Sequence, residues 1–368
     1  MSLTFRSSGI LAAILLVVLI VSLPGASAAG GQWIKNSSNP VLTPTPDSWD
    51  SDAIISPRVL YDGHIFRMWY LGVSGGIGAI GYATSTDGIK WTKHYGPVLT
   101  VGSPNAWDSA AVALGSVIWN GTSFLMYYSG SSPVAFPNGA FGLATSPDGI
   151  TWTKYHGNPI LKPSAIDQKY MAAPYVISLN LTYSMWYTAR SGSEPASSEI
   201  TRINYATSFD GITWRKWPSV VLAPSTDPNA WDSVAVYSPS VVFNGSVYGM
   251  WYAGLGQSLV EPQIGFATSP DGATWTKSSQ NPILSPGPLD TWDSAGVEQP
   301  GITIAVGYML YYDGYSNTTR AGIGLAHAPQ GFAIPEFPEA TTALVAGFLS
   351  IAVTCFITRP RAWKQKAV

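Results

Sequence analysis

The chain has 368 residues and a formal net charge of −2, and only 11% of its residues are charged. Its 37 glycines and 28 prolines are typical of a globular protein that is rich in strands and turns. The near-neutral charge argues against a nucleic-acid-binding protein, because such a protein presents a basic face to the phosphates. We therefore expect no nucleic-acid partner.

The first 29 residues have the pattern of a secretory signal peptide. Arg6 precedes an apolar run from Ile10 to Leu23, and small residues follow up to Ala29. A positive start, an apolar centre and a small-residue exit are the three parts of such a signal. We predict a signal peptide at 1–29 and a globular domain at 30–333.

The domain at 30–333 consists of a repeat of about 60 residues. Each copy has Trp-Asp-Ser or a variant of it and a Tyr about twenty residues later, and four copies have an Ala-Thr-Ser-x-Asp-Gly-x-x-Trp phrase. Asp-Gly and Asn-Gly pairs between alternating apolar residues indicate β-hairpins. Each copy predicts four strands and no helix, which is the pattern of a propeller blade. The repeated Asp residues are Asp50, Asp108, Asp167, Asp232 and Asp293.

The last copy lacks its fourth strand, and the start of the domain supplies one. The repeat stops after Ala321–Ala328, whereas Trp33-Ile34-Lys35 matches the Trp-Thr-Lys that ends the other copies. We expect this N-terminal strand to complete the fifth blade and close the ring, which removes exposed sheet edges. The predicted fold is all-β: a five-bladed β-propeller of four-stranded blades.

The C-terminal end predicts a membrane anchor. A short Pro-rich linker at 334–340 precedes an apolar stretch at 341–358, which is about the minimum length for a transmembrane helix. The tail at 359–368 is basic, and basic residues remain on the cytoplasmic side. We therefore predict a cell-surface protein with its propeller outside the cell. The one cysteine, Cys355, lies in the apolar stretch, so no disulfide stabilises the propeller.

Residues that the repeat carries only once are the candidate functional residues, because a residue present in every blade is expected to serve the architecture. The first strand of each blade is expected to lie innermost, near the propeller axis. A polar side chain there costs stability unless it is paired or solvated, and a ligand-binding funnel at the axis would explain its presence. The alternative is a structural cluster, in which Asp52 or Glu298 pairs with Lys169 or Arg58. The candidates are Asp52, Arg58, Lys169, Tyr170, Tyr237, Glu298 and Gln299.

The phrases "WDS…P", "MWYxG", "IGYATSPDGITWTK" and "NPVL" resemble those of the five-bladed propeller glycosidases and phosphorylases, glycoside hydrolase families 43, 32 and 130. The likeness covers nearly all of 31–332. It implies carboxylates on the innermost strands, at the mouth of a central funnel. In family 43 the base is typically an Asp directly before the innermost-strand proline, and none of the five equivalent residues is acidic here. These residues are Ser56, Leu114, Ala173, Ser238 and Gln299.

The same resemblance matches Glu298 to the family's acid, a Glu two residues before a proline. A second resemblance concerns the tail: "IPEFPEA" is similar to the Pro-Glu-Phe sorting signal of archaeal surface proteins. It leaves open whether the tail stays as an anchor or is cut off.

Three functions are compatible with these observations. The first is a glycoside-hydrolase-like enzyme that cleaves glycosidic bonds in the funnel, with Glu298 as the acid and Asp52 as its partner. Its substrate-binding residues would be Lys169, Tyr170, Tyr237, Arg58 and Gln299. The second is a non-catalytic surface propeller that binds glycans or cell-envelope proteins, and a purely structural envelope protein is a third. The four histidines have no metal-ligand spacing, so we expect neither a metal nor another cofactor, and we expect a monomer.

Overall fold

The structure is a computed structural model that describes residues 32–329 and 332, apart from 135, 168–169, 180, 192–199, 258–260, 306 and 319–320. The signal peptide, the linker, the transmembrane segment and the basic tail that the sequence predicts lie outside the described residues. Lys169 lies outside them as well. None of the described segments forms a helix with the length and hydropathy that a bilayer span needs.

The described chain is all-β, as the sequence predicts, and contains strands but no helix. Each sequence repeat forms a four-stranded unit, and the units are numbered 1 to 5 in chain order. Unit 1 holds β2 (Ala53–Tyr61), β3 (Phe66–Ser74), β4 (Ile77–Ser85) and β5 (Thr92–Lys93). Unit 2 holds β6 (Ala111–Trp119), β7 (Phe124–Ser132), β8 (Phe136–Ser146) and β9 (Thr153–Lys154). Unit 3 holds β10 (Tyr170–Leu179), β11 (Thr182–Ser191), β12 (Ile200–Ser208) and β13 (Arg215–Lys216). Unit 4 holds β14 (Ala235–Phe243), β15 (Tyr248–Leu255), β16 (Gln263–Ser269) and β17 (Thr276–Lys277). Unit 5 holds β18 (Gly296–Ala305), β19 (Gly307–Tyr315), β20 (Gly322–His327) and β1 (Ile34–Lys35).

Neighbouring strands within a unit are antiparallel. Units 3 and 4 share one eight-stranded sheet through a parallel pairing of Thr201 with Ala235. In unit 5 the N-terminal strand β1 pairs with β20, with Ile34 opposite His327. The start of the domain therefore supplies the fourth strand that the last repeat lacks.

Each first strand is interrupted by a β-bulge near its middle. In four units the residue before the proline has a positive φ of 49–57°. Such a backbone conformation is rare for residues other than glycine, and a bulge changes the direction of the side chains beside it. In these four units the bulge thus places one residue of the first strand on the inner side of the assembly. The four residues are Ser56, Ala173, Ser238 and Gln299.

The repeated Asp residues are buried and form one network in every unit. In unit 2, for example, Asp108 Oδ2 accepts hydrogen bonds from Lys154 Nζ at 2.6 Å and from the Tyr128 hydroxyl at 3.1 Å. The lysine belongs to the fourth strand and the tyrosine to the second, so the carboxylate joins the strands of a unit to the loop before it. Each of the five repeated Asp residues has both a lysine and a tyrosine partner, and these acids are structural. The ion pairs are Lys93–Asp50, Lys154–Asp108, Lys216–Asp167, Lys277–Asp232 and Lys35–Asp293.

Unit 3 has Ile166 in place of the repeated Trp. It also has Ala189 and Asn204 where unit 2 has Gly130 and Gly142. In unit 2 a Cβ atom on Gly142 would lie 2.6 Å from the Trp107 ring, so this site has no room for a side chain. Unit 3 has Asn204 at the same position, and its Nδ2 donates to the Ile166 carbonyl at 3.3 Å. The smaller Ile leaves the space that the Asn fills.

Candidate functional site

A cavity of about 950 Å³ lies where the first strands of the five units converge. The residue before the proline, or before Gly115 in unit 2, lines it in every unit. Its remaining lining is mainly apolar with a few hydroxyl groups, which is the usual character of a small-molecule site. The five positions at which the resemblance implies a base thus lie together, and none of them is acidic. They are Ser56, Leu114, Ala173, Ser238 and Gln299.

Glu298 is half-buried and directly precedes Gln299, which lines this cavity. Its Oε2 accepts a hydrogen bond of 2.7 Å from the hydroxyl of Tyr237, and the Tyr237 side chain lines the cavity. Burial raises the pKa of Glu298 above that of an exposed glutamate, and the Tyr237 hydrogen bond offsets part of this effect. Glu298 therefore keeps its proton to a higher pH than an ordinary glutamate does.

Asp313 lies directly opposite Glu298 on the neighbouring strand β19. Its side chain is fully buried, and Oδ1 accepts a 2.8 Å hydrogen bond from the backbone N–H of Ser56 in unit 1. Oδ2 has no hydrogen-bond partner among the described residues. Burial, and then the charge of Glu298, raise the pKa of Asp313 well above its usual range, while Arg58 acts in the opposite direction.

Sequence reasoning missed Asp313 because it compared only the first strands. The residue that follows the repeated Tyr is Asp313 in unit 5 and a residue without charge in the other four units. A comparison of this position would have found it. The four counterparts are Leu71, Ser129, Thr188 and Ala253.

Two hydroxyl residues at the same position make the same contact as Asp313. Ser129 Oγ accepts a hydrogen bond from the Ala173 N–H at 3.2 Å, and Thr188 Oγ1 accepts one from the Ser238 N–H at 2.9 Å. Each joins a second strand to the bulge of the next unit. Asp313 therefore has a structural contact that a hydroxyl group can also make, and a second carboxyl oxygen that a hydroxyl group lacks.

Tyr237 and Tyr315 keep their protons near the two carboxyl groups. Burial and the charge of Glu298 raise the pKa of Tyr237 well above its usual value. Burial, together with the charges of Glu298 and Asp313, raises the pKa of Tyr315 to about 12. Both phenols are hydrogen-bond donors at neutral pH.

Asp52, the predicted partner of Glu298, has a different environment. It is exposed, and its Oδ2 accepts a 2.7 Å hydrogen bond from the backbone N–H of Gly75 in the β3–β4 turn. It is not among the described residues that line the cavity, and no described contact joins it to Glu298. The structure brings Asp313 to Glu298, and it gives Asp52 a turn-stabilising contact.

Arg58 is buried between the first strands and does not line the cavity. Its guanidinium donates to the carbonyl of Gly115 in unit 2 and, at 3.1 Å, to that of Pro300 in unit 5. It also lies 5.5 Å from the centroid of the Tyr175 ring in unit 3. Burial lowers the pKa of Arg58. The contacts of this residue favour a role in holding four units together.

Tyr170 and Gln299 are the remaining described candidates, and both line the cavity. Tyr170 is 44% exposed and lies opposite Arg190 across β10 and β11, and Arg190 also lines the cavity. Gln299 Oε1 accepts a hydrogen bond from the Ser56 hydroxyl. Tyr170, Tyr237 and Gln299 are thus brought together. Within the described ranges no group of three or more His, Cys, Asp or Glu side chains could hold a metal ion.

Comparison with solved structures shows a fold of the propeller type found in glycosidases. A structure named simply as a glycoside hydrolase has a TM-score of 0.66 at 20% identity, covering 84% of this chain and 95% of the other. A thermostable family-43 glycoside hydrolase has a TM-score of 0.62 at 18% identity, covering 77% and 91%. A structure reported for the GH130 family of mannoside phosphorylases has a TM-score of 0.61 at 17% identity, covering 84% and 99%. Likeness at this level of identity concerns the fold.

No family model matches the chain. The uncharacterised proteins MT1551 and Rv1502 of Mycobacterium tuberculosis, from strains CDC 1551 / Oshkosh and ATCC 25618 / H37Rv, are each 32% identical to it over 275 residues. Each match covers 72% of this chain and 88% of the mycobacterial protein. The chain therefore belongs to the same family as these two uncharacterised mycobacterial proteins.

Proposed function

We propose that the protein is a glycosidase-like carbohydrate-active protein, that its glycan ligand binds in the cavity between the first strands, and that Glu298 is its proton donor. One observation carries the proposal: a half-buried carboxylic acid is hydrogen-bonded to a tyrosine that lines the cavity. Glycoside cleavage needs an acid that protonates the leaving oxygen. A glutamate whose pKa is raised by burial suits that role near neutral pH.

The architecture that we propose for this site is a closed five-bladed propeller. It is supported by the five four-stranded units, by the pairing of β1 with β20 and by the Lys35–Asp293 ion pair in unit 5. In such a ring the five bulges meet at the axis, which accounts for a cavity to which every unit contributes.

A non-catalytic glycan-binding protein is the second candidate, and the cavity lining favours it. No carboxylate occurs among the described residues that line the cavity, although hydrolysis requires two carboxyl groups flanking the bond. Asp52 is engaged with Gly75, and Asp313 is fully buried. The same site would then bind a glycan or a cell-envelope protein without cleaving it.

The location of the protein is also a proposal. The apolar patterns at 1–29 and 341–358 support export and anchoring at the cell surface, with the propeller outside and the basic tail inside. The Pro-Glu-Phe motif supports sorting of the tail. We propose that the exported protein acts as a monomer without a cofactor. Western blotting of protease-treated intact cells tests the orientation, because only an outside propeller would be digested.

The function is tested with the purified full chain on an oligosaccharide panel, by measuring both binding and release of reducing sugar. We expect Glu298→Gln to lower cleavage by about 100-fold or more, because general acid catalysis contributes on that scale. Binding should change little, since the amide keeps the acceptor oxygen for Tyr237. Asp52→Asn is the matched control and should retain activity.

The outcomes separate the two candidates. Binding without cleavage by the wild type would favour the non-catalytic protein. Cleavage by Glu298→Gln at the wild-type rate would exclude Glu298 as the proton donor. A wild type that neither binds nor cleaves any glycan would contradict the whole proposal.

A further inference from the structure

Asp313 is unusual among the buried acids of the described chain. The five repeated Asp residues are each paired with a lysine and a tyrosine, as in Asp108 with Lys154 and Tyr128. Asp313 has no lysine partner, and it is the one buried carboxylate with an unpartnered oxygen in the described ranges. Removing an ionised carboxylate from water without a compensating partner costs several kcal/mol. A cost of this size favours the protonated, neutral form of the group.

The acid nearest to Asp313 in the strand register is Glu298, its cross-strand partner. Residues directly opposite each other on antiparallel strands have Cβ atoms about 4.5–5.5 Å apart, and Glu298 and Asp313 are such a pair. Both are removed from water, Asp313 completely and Glu298 in part. Two neighbouring carboxyl groups that are shielded from water do not both ionise readily, because the negative charge of the first carboxylate repels that of the second.

The groups around the pair do not remove this repulsion. Among the described residues Arg58 on β2 is the cation that acts on Asp313, and its guanidinium is engaged with backbone carbonyls and the Tyr175 ring. Tyr237 on β14 donates to Glu298, and Tyr315 lies on the same strand as Asp313. The charge of a further carboxylate, that of Glu261, also acts on Tyr315.

We propose that Asp313 and Glu298 form a carboxyl pair that shares one proton through the neutral range of pH. Burial raises the pKa of both members, which agrees with this arrangement. The protons of such a pair belong to the pair and leave in two steps. The shared proton requires no bound ligand.

The use of this proton rests on the proposed function. Glu298 would pass the proton to the leaving oxygen of a glycoside, and that oxygen keeps the electron pair of the broken C–O bond. The oxygen of a water molecule then bonds to the freed sugar carbon, and that water returns one of its protons to the pair. Asp313 acts through Glu298 and is a positioning residue.

The test is an infrared titration of the full chain without ligand, in which the carbonyl band of neutral carboxylic acids is followed against pH. Asp313→Ser removes the second carboxyl and keeps an oxygen for the Ser56 N–H, as Ser129 does in unit 2. With the like-charged neighbour gone, the remaining Glu298 band should be lost at a pH about 1 unit lower or more. Asp313→Asn has nearly the same shape and serves if the Ser variant fails to fold.

Ser129→Ala is the control, because it removes the equivalent contact in unit 2 and leaves the carboxyl pair intact. It should lower stability without moving the titration. An unchanged midpoint in both Asp313 variants would overturn the proposal, and so would a wild type that shows no neutral-acid band near pH 6. The glycan screen is a separate measurement, so failure of the proposed function and failure of the shared proton are distinguishable.

Discussion

The carboxyl groups of the Asp-Gly turns and those of Glu298 and Asp313 lie in different surroundings, and their pKa values differ accordingly. The Asp of each Asp-Gly turn accepts hydrogen bonds from backbone N–H groups that favour its charged form. For Asp148, the N–H groups of Thr151 and Ile150 lower the pKa to about 2. Glu298 and Asp313 have raised pKa values because burial penalises their charged forms. The chemistry that each acid can perform is thus decided by its neighbours and not by its residue type.

The raised pKa of Asp313 predicts a pH dependence of stability. The folded state binds the Asp313 proton more tightly than the unfolded state does, so the stability from this residue is fully present below the unfolded pKa of about 4 and is lost progressively as the pH rises towards the folded pKa. As the pH rises above 4, wild type loses stability relative to Asp313→Asn, which stays neutral. We expect the two proteins to have similar free energies of unfolding near pH 3.5 and the variant to be more stable by about 1 kcal/mol or more at pH 7.

Urea unfolding at both pH values measures this difference. The same comparison with Ser129→Ala, which removes no titrating group, should give a difference that does not depend on pH. A wild type that gains stability relative to Asp313→Asn between pH 4 and 7 would contradict the prediction.

At the scale of elements, strands within a unit fit together through compensating residue sizes. Four units combine a Trp with two glycines, and in unit 2 the Trp107 ring covers both Gly130 and Gly142. Unit 3 combines Ile166 with Ala189 and Asn204. Because the ring and the added side chains would occupy the same space, the three positions must change together.

This fit predicts coupling between Trp107 and Gly142. Gly142→Asn alone should destabilise the domain by about 1–3 kcal/mol, since the added atoms overlap the indole ring. The double variant Trp107→Ile/Gly142→Asn copies unit 3, and it should be more stable than the sum of the two single effects by about 0.5–3 kcal/mol. A double-mutant cycle by chemical unfolding measures the coupling energy, and a value near zero would contradict the fit.

For the whole molecule, the last unit depends on a strand from the opposite end of the domain. Trp33 is buried against Trp251, with ring centroids 6.0 Å apart, and Lys35 pairs with Asp293. The fourth strands of the other units have chain on both sides that continues into the fold. Strand β1 is held in unit 5 by side-chain contacts such as Trp33–Trp251 and Lys35–Asp293. We therefore expect unit 5 to open more easily than the other units.

Amide hydrogen exchange of Lys35→Met and Lys93→Met compares how firmly β1 is held in unit 5 with how firmly β5 is held in unit 1. Each variant leaves a buried Asp without its lysine, at a cost of up to about 3–5 kcal/mol that partial exposure of the lysine reduces. Amides of β20 should lose protection in Lys35→Met because β1 detaches. Amides of β4 should stay protected in Lys93→Met, because β5 is connected at both ends. Equal losses would show that β1 is held as firmly as β5.

The sequence by itself determined the repeat and the four strands of each unit, because these follow from local patterns of turns and alternating apolar residues. It also determined that Trp33–Lys35 completes the last repeat, because this segment matches the strand that the last repeat lacks. It also indicated Tyr237, Tyr170 and Gln299, which line one cavity, and Glu298, which is hydrogen-bonded to Tyr237. These residues stand out because each breaks a repeated position on a first strand.

Only the tertiary structure decided which acid lies next to Glu298. Asp52 stands at the start of β2, where its carboxylate reaches a turn, whereas Asp313 is brought opposite Glu298 by the register of β18 and β19. Likewise, the burial of Arg58 depends on carbonyls from two other units. Cross-strand register and packing between units are long-range properties, so the spacing of residues along one chain does not reveal them.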